Sequence, residues 1–318
     1  MSNEITTTSN PVNRTQLMAF GVMVLFFVIA PLWVYPVFLM KVMCFALFAC
    51  AFNLLIGFGG LLSFGHAMFL GMAGYVSAHA AKVWGVSPEL AVLCGTLSAT
   101  LLAVVTGLLA IRRQGIYFAM ITLALSQMVF FMCLQMPFTG GEDGIQAVPQ
   151  GLLFGTVDLS VSMNMYMFVL AIFLFGFVAI WRIVHSPFGQ VLKAIRENQD
   201  RAISLGYDVD HYKFLAFVLS GTLAGMAGAT KALVFQLASL TDVHWSMSGE
   251  VVLMTLVGGM GTLFGPVFGA AVIVAMQNYL AQMGAWVTII QGVIFVLCVM
   301  AFRRGIIGEL ANWLRKSL

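Results

Sequence analysis

The sequence predicts an all-α integral membrane protein, a polytopic helical bundle of about ten transmembrane segments (eight to ten) with both termini cytoplasmic. Three observations carry this expectation. The 318 residues are 61% hydrophobic and 8% charged, whereas soluble globular domains carry roughly 25% charged residues. Mean hydropathy is +1.00. Intervals such as 17–35 and 90–111 contain no Asp, Glu, Lys, Arg or His, and each can cross a hydrocarbon core, which takes about 20 apolar residues. Lipid satisfies no open backbone, so such spans must be helices or strands of a closed barrel. Continuous apolar runs without strict alternation select helices.

The candidate spans are residues 17–35, 37–57, 65–83, 90–111, 115–136, 163–183, 212–236, 247–264, 266–283 and 286–302. The first is about as long as a full span and lacks a small-x-small cleavage pattern, so it reads as a retained helix rather than a signal peptide. Cations set the orientation, because Lys and Arg accumulate in cytoplasmic loops. An inside amino terminus puts Arg112, Arg113, Lys193, Arg196, Arg201, Arg303, Arg304, Arg315 and Lys316 in the cytoplasm. It puts the loop 137–162, with Glu142, Asp143 and Asp158 but no Lys or Arg, outside. The expected organisation is a cytoplasmic tail (1–16), a membrane domain (17–302) and a second cytoplasmic tail (303–318). Between 247 and 283 a glycine-rich interruption leaves two short crossings or a re-entrant segment, and the charge distribution favours two crossings.

Cys44, Cys50, Cys94, Cys133 and Cys298 all fall in apolar runs without C-x-x-C spacing, which suggests helix packing and neither zinc nor disulfides. A net charge of +3 is too small and dispersed for nucleic acid. No G-x-x-x-x-G-K-[ST] phosphate loop occurs.

The segment 186–206 carries the signals of one short amphipathic cytoplasmic helix. Ser186 suits the cap, Pro187 the first helical position, and Gly206 the left-handed position past the end. Phe188, Val191, Leu192, Ile195, Ala202 and Leu205 fall on one side, with Lys193, Arg196, Glu197, Asp200 and Arg201 largely on the other. Glu197 and Arg201 are spaced to pair. Such a helix can lie on the membrane surface or dock into another protein.

Two glycine-rich breaks echo one another. Gly59-Gly60-Leu61-Leu62-Ser63-Phe64-Gly65-His66 and Gly258-Gly259-Met260-Gly261-Thr262-Leu263-Phe264-Gly265-Pro266 each hold a hydroxyl residue and open an apolar helix. Interrupted hydrophobic segments in the two halves of a membrane protein point to a solute path, or to close helix packing through small residues. The path candidates are therefore Asn53, Ser63, His66, Gly258, Gly259, Gly261 and Thr262. His66 has no Cys, Asp or Glu neighbour, so a backbone hydrogen bond or a place in the path fits it better than a metal. Ser63 and Thr262 either meet a solute or satisfy carbonyls freed where a helix breaks. Asn53 and Gln127 read as interhelical hydrogen-bonding residues, and Lys41 and Lys231 as snorkelling ones.

Several of these stretches resemble known sequences. Asp200-Arg201-Ala202 followed by Gly206 is similar to the coupling loop of ABC importer permeases, Glu-Ala-Ala then Gly after three residues, with the first alanine replaced. Leu61–Phe69, Gly115–Ala124, Thr139-Gly140-Gly141-Glu142-Asp143-Gly144-Ile145, Lys213–Phe217, the 258–269 stretch and Arg304-Gly305-Ile306-Ile307-Gly308 look like LivM-type permeases of branched-chain amino acid ABC importers. That family usually has Pro where this chain has Arg303. The resemblance covers about 45–308 and implies a transport subunit rather than an enzyme, translocating leucine, isoleucine or valine across the bacterial inner membrane. It implies a LivH-like second permease, one or two cytoplasmic ABC ATPases and a periplasmic solute-binding protein. No cofactor is expected on this chain, with ATP and Mg on the partner ATPases. Arg196, Glu197, Asp200, Arg201, Ala202 and Gly206 become the expected ATPase-coupling residues, and Gly141, Glu142 and Asp143 the expected docking turn.

Relatives of this kind also carry urea, short amides or other amino acids. An autonomous ion-coupled carrier would need buried mid-membrane acids, and only Glu250, near a span end, approaches that. A membrane enzyme would need converging acid, base or metal groups, which the sequence does not offer. The candidate path is nearly free of charge, which suits a small neutral or zwitterionic solute and provides no fixed counter-charge.

Overall fold

The computed structural model describes residues 14–280 and 305–313, with residues 286, 289–290, 292–293, 296 and 300 between them. The expected span 286–302 is therefore largely outside the described residues. So are Cys298, Arg303, Arg304, Arg315 and Lys316.

The helices are α1 (Arg14–Ile29), α2 (Pro36–Asn53), α3 (His66–Lys82), α4 (Pro88–Ala110), α5 (Ile116–Gln135), α6 (Ser162–His185), α7 (Pro187–Glu197), α8 (Gln199–Ser204), α9 (Val209–Phe235), α10 (Trp245–Gly258), α11 (Gly265–Leu280) and α12 (Ile306–Trp313). A π turn, Leu54–Phe58, extends α2. Pro36, Pro88 and Pro187 occupy first turns, where the missing N–H would have had no helical partner. Among the described residues five helices are long and apolar enough to cross a membrane: α2 with its π turn, α4, α5, α6 and α9.

α2, α3 and α9 form the centre of the bundle. From Leu39 to Leu55 nearly every side chain of α2 is buried, as expected of a helix that is hydrophobic all round. α4 shows how the layers approach. Its Ala91, Gly95, Ala99, Ala103 and Ala110 are buried, while Leu93, Leu97, Leu101, Val105 and Leu108 point outward. Small residues inside and large aliphatic ones outside is the pattern of helices packed in lipid, where backbone approach rather than water exclusion drives association. The approach is very close where α9 crosses α3, because a Cβ on Gly228 would sit 1.9 Å from the Leu70 carbonyl oxygen.

Contacts at the two ends fix the helix directions. At one end, here the base, lie α7 and α8, the Gln16–His185 hydrogen bond at 3.2 Å and the π turn. At the far end, Lys82 Nζ donates to the Gln146 carbonyl at 2.7 Å, β1 (Ile145–Gln146) pairs antiparallel with β4 (Leu237–Ala238), and Phe38 meets Tyr279. β2 (Leu152–Leu153) and β3 (Val157–Asp158) form a second small ribbon in the 137–162 loop. Accordingly α1, α3, α5, α9 and α11 run toward the far end, and α2, α4, α6 and α10 run back.

α10 and α11 are an antiparallel pair, an arrangement that both the two-crossing and the re-entrant readings of 247–283 allow. A Cβ on Gly269 would meet the Met254 carbonyl at 1.8 Å. The expected span to 264 ends instead at Gly258, since Gly259 and Gly261 take φ of 123° and 77°, a region costly for residues with a Cβ. α10 has 14 residues, about 21 Å at 1.5 Å per residue. The tail expected at 303–318 contains α12, and a Cβ on Gly305 would come within 2.3 Å of Gly259 Cα, which brings the chain back to the base.

The expected single helix 186–206 is two. Asn198 leaves the helical region at φ −156° and ψ 102°, and its side chain caps α8 by accepting from Arg201 N at 3.0 Å. This break separates Glu197 from Arg201, and the expected ion pair is absent among the described residues, where Lys231–Asp242 is the one pair found.

Candidate functional site

The two glycine-rich breaks meet at the base. Asn53, at the end of α2, donates from Nδ2 to the Thr262 carbonyl at 2.8 Å and accepts from Gly261 N at 2.9 Å. One amide thus satisfies both polar groups of a turn that helix backbone cannot reach. Thr262 closes the turn itself, donating to the Gly259 carbonyl at 2.8 Å and accepting from Gly265 N at 3.1 Å. Gly57 lies against this turn so tightly that a Cβ there would be 2.7 Å from Gly261 N.

Arg196 of α7 reaches the same place. Its Nη1 donates to the Gly57 carbonyl, and the same nitrogen would lie 3.2 Å from a Cβ on Gly261. A Cβ on Gly60 would touch the Arg196 stem at 3.0 Å. Hence one side chain underlies both breaks, its stem at Gly60 and its guanidinium at Gly261. Beside it a cleft of about 550 Å³ is lined by Gln16, Phe58, His185, Lys193, Arg196 and Gly261. Lys193 Nζ lies 5.5 Å from the Phe58 ring centroid, and burial pushes its ammonium below the usual lysine pKa.

His66 stands apart from this assembly. Its Nε2 is 2.8 Å from Ser220 Oγ, and Ser220 in turn donates to the Ala51 carbonyl at 2.6 Å. With the hydroxyl proton so used, Ser220 accepts from His66, which assigns the proton to Nε2 and leaves Nδ1 a bare acceptor. That Nδ1 is buried without a partner among the described residues, between the rings of Phe52 and Phe69. Ser63 is also buried and local, accepting from Gly65 N at 3.2 Å. The α3 start is held by Ser248 Oγ, which accepts from Ala67 N at 2.9 Å, and Thr122 Oγ1, which accepts from Phe64 N at 3.2 Å.

Of the expected path residues, the structure therefore groups Asn53, Gly258, Gly259, Gly261 and Thr262, and places Ser63 and His66 deeper, at α3. Gln127 forms no interhelical bond: its Nε2, Ser126 Oγ and Tyr75 Oη are buried without partners among the described residues.

Glu197, Asp200, Arg201 and Gly206 are exposed on the outer side of the base, and Ala202 is buried against Ile195 and Val209. Gly206 has φ 87°. Gly206 N donates to the Ile203 carbonyl and Tyr207 N to that of Ala202, the Schellman closure that makes a glycine preferred there. Gly141, Glu142 and Asp143 form a short 3₁₀ turn at the far end. This turn is anchored, not free: Thr139 is buried and bonded to the Met136 carbonyl, and β1 follows directly.

Sequence reasoning named Lys41, Lys231 and Glu250 singly but missed Asp242 and the pairing inside the bundle. Lys231 does not snorkel. It forms an ion pair with Asp242 and lies 5.5 Å from the Phe45 ring centroid. Glu250 accepts from Gln277 Nε2 at 2.9 Å. The expected path residues carry no charge; these charged groups stand at the far end, on separate elements whose registers only the fold brings together.

A family model described as the branched-chain amino acid transport system / permease component matches residues 36–299. The chain belongs to this family. The permease is 23% identical over 289 residues to the high-affinity branched-chain amino acid transport system permease protein LivM of Salmonella typhimurium, covering 83% of this chain and 68% of that protein. The Escherichia coli protein of the same name is 23% identical with the same coverage. The ribose import permease protein RbsC of Bacillus subtilis is 26% identical, covering 77% of this chain and 75% of the relative. No solved structure matches at a comparable level. The permease is of the LivM type, a multi-pass membrane transporter subunit of the ABC class rather than an enzyme.

Proposed function

We propose that this permease translocates leucine, isoleucine and valine across the bacterial inner membrane as one of two permease subunits of an ABC importer. About ten spans with both termini cytoplasmic fit the alternating helix directions and the cation distribution. The base is then the cytoplasmic end and the far end the periplasmic one. A binding protein delivers solute near Gly141, Glu142 and Asp143, and partner ATPases, holding ATP and Mg, act on α7 and α8.

The observation that carries this reading is the bond from Arg196 to the Gly57 carbonyl. A push on α7 is transmitted through one charged hydrogen bond to the π turn, and from there through Asn53 to the 259–264 turn. Both glycine breaks can then rearrange together, as alternating access requires.

The substrate is tested on the cognate binding protein by thermal shift, because a ligand of the folded state alone raises the melting temperature. Stabilisation by leucine, isoleucine or valine is expected. Stabilisation by urea, short amides or ribose with none by the aliphatic amino acids would overturn the substrate. Similarity to a ribose import permease makes a sugar the specific second reading.

A further inference from the structure

At the far end four charged side chains approach one another inside a bundle otherwise almost free of charge. Lys41 on α2, Lys231 on α9, Asp242 before α10 and Glu250 on α10 are each buried or half-buried, and Lys41 lies within electrostatic range of the other three. Two of the four are locally matched, since Lys231 pairs with Asp242. Among the described residues Glu250 has only the Gln277 amide. Among the described residues Lys41 has no hydrogen bond and no carboxylate oxygen within 4.0 Å.

Beside Lys41 opens a pocket of about 390 Å³ walled by Trp33, Tyr35, Phe38, Phe235 and Tyr279. Its size falls within the about 300–1,000 Å³ usual for small-molecule sites. Phe38 and Tyr279 close one side with ring centroids 6.3 Å apart. Phe38, Lys41 and Phe45 share one face of α2 by their three- and four-residue spacing. Lys41 therefore lines an aromatic pocket and has two acids, Asp242 buried and Glu250 half-buried, within electrostatic range behind it.

Charges held apart at membrane depth are costly unless something pairs them. A simple anion would satisfy Lys41 and leave Glu250 as it is; a neutral sugar would satisfy neither. A zwitterion satisfies both. We propose that Lys41 and its aromatic pocket form a binding station for an aliphatic α-amino acid within the permease. Lys41 takes the carboxylate, Glu250 faces the ammonium, and the rings take the side chain. This rests on reading the chain as an amino acid permease.

The test is binding of radiolabelled leucine to the purified full chain in lipid nanodiscs. Saturable binding is expected, with leucinamide (no carboxylate) and isovalerate (no amine) competing at least about tenfold more weakly, as loss of a charged hydrogen bond implies. Lys41→Met should weaken leucine binding by at least about tenfold with an unchanged melting temperature, and Lys41→Arg should retain it. Lys41 has no partner to orphan among the described residues, so Met is the mild replacement; should it fail to fold, the analogue series on the wild-type chain decides. Leucine binding equal in wild type and Lys41→Met, or equal competition by leucinamide, overturns the station. No binding by the wild-type chain while the intact importer carries leucine also overturns it, and leaves the transport function standing. Lys41-dependent binding of a different zwitterion with leucine excluded keeps the station and overturns the branched-chain substrate.

Discussion

Arg196 Nη1 donates to the carbonyl oxygen of Gly57, joining a helix outside the spans to the glycine-rich end of the most buried span. The carbonyl it takes belongs to the π turn that extends α2, and a backbone acceptor freed at such a turn needs a partner. The partner comes from the element expected to receive force from an ATPase. Structural satisfaction and coupling are thus served by one bond.

Asn53 should be irreplaceable at the neighbouring turn. Asn53→Leu removes a donor and an acceptor that hold Gly261 and Thr262, costing about 2 kcal/mol at about 1 kcal/mol per bond. Thermal unfolding in detergent should show a lower midpoint, with Asn53→Asp intermediate because it keeps the acceptor toward Gly261. A midpoint equal to wild type in Asn53→Leu would mean the turn stands without its clamp.

Gly206 tests backbone conformation in isolation. A Cβ there meets nothing within 4 Å, so the penalty of Gly206→Val is that of the left-handed region alone, roughly 1–2 kcal/mol. The variant should insert normally yet lose solute-stimulated ATPase activity in the assembled complex. Gly206→Asn, which tolerates φ of 87°, should keep most of it. Equal activity of the Val and Asn variants would detach the α8 closure from coupling.

The Lys231–Asp242 pair should respond asymmetrically. Lys231→Met leaves Asp242 as an uncompensated buried charge and should destabilise by about 3–5 kcal/mol. The double variant Lys231→Met/Asp242→Asn should recover much of that loss. Additive losses in denaturation of the single and double variants would show that the two side chains do not interact.

Orientation is checked by cysteine accessibility. Ser204→Cys on α8 should resist impermeant thiol reagents in intact cells, and Glu142→Cys should react, both positions being exposed. The opposite pattern would invert the membrane orientation.

The helices were legible because apolar runs and flanking prolines mark them directly: α4 and α6 lie within a few residues of their expected bounds. The split at Asn198 was less so, although Asn198 followed by Asp200 is itself a cap signal. It was overridden by the apolar spacing that continues through Ala202. Arg196 was marked as a coupling residue, but its acceptor lies 139 residues away in sequence, and no local pattern reports such a contact. The pairing of Lys231 with Asp242 escaped for the same reason. Lys41 and Lys231 each sit singly in an apolar run, where snorkelling is the simplest reading until the fold places an acid beside one of them.

The most direct measurement of coupling is leucine uptake and ATP hydrolysis by the reconstituted complex carrying Arg196→Ala. Removing a charged hydrogen bond, worth about 1.5–3 kcal/mol, should leave basal ATPase activity intact and lower leucine-stimulated hydrolysis and uptake roughly tenfold or more. Uptake and stimulation at wild-type levels would contradict the transmission of α7 movement through Gly57.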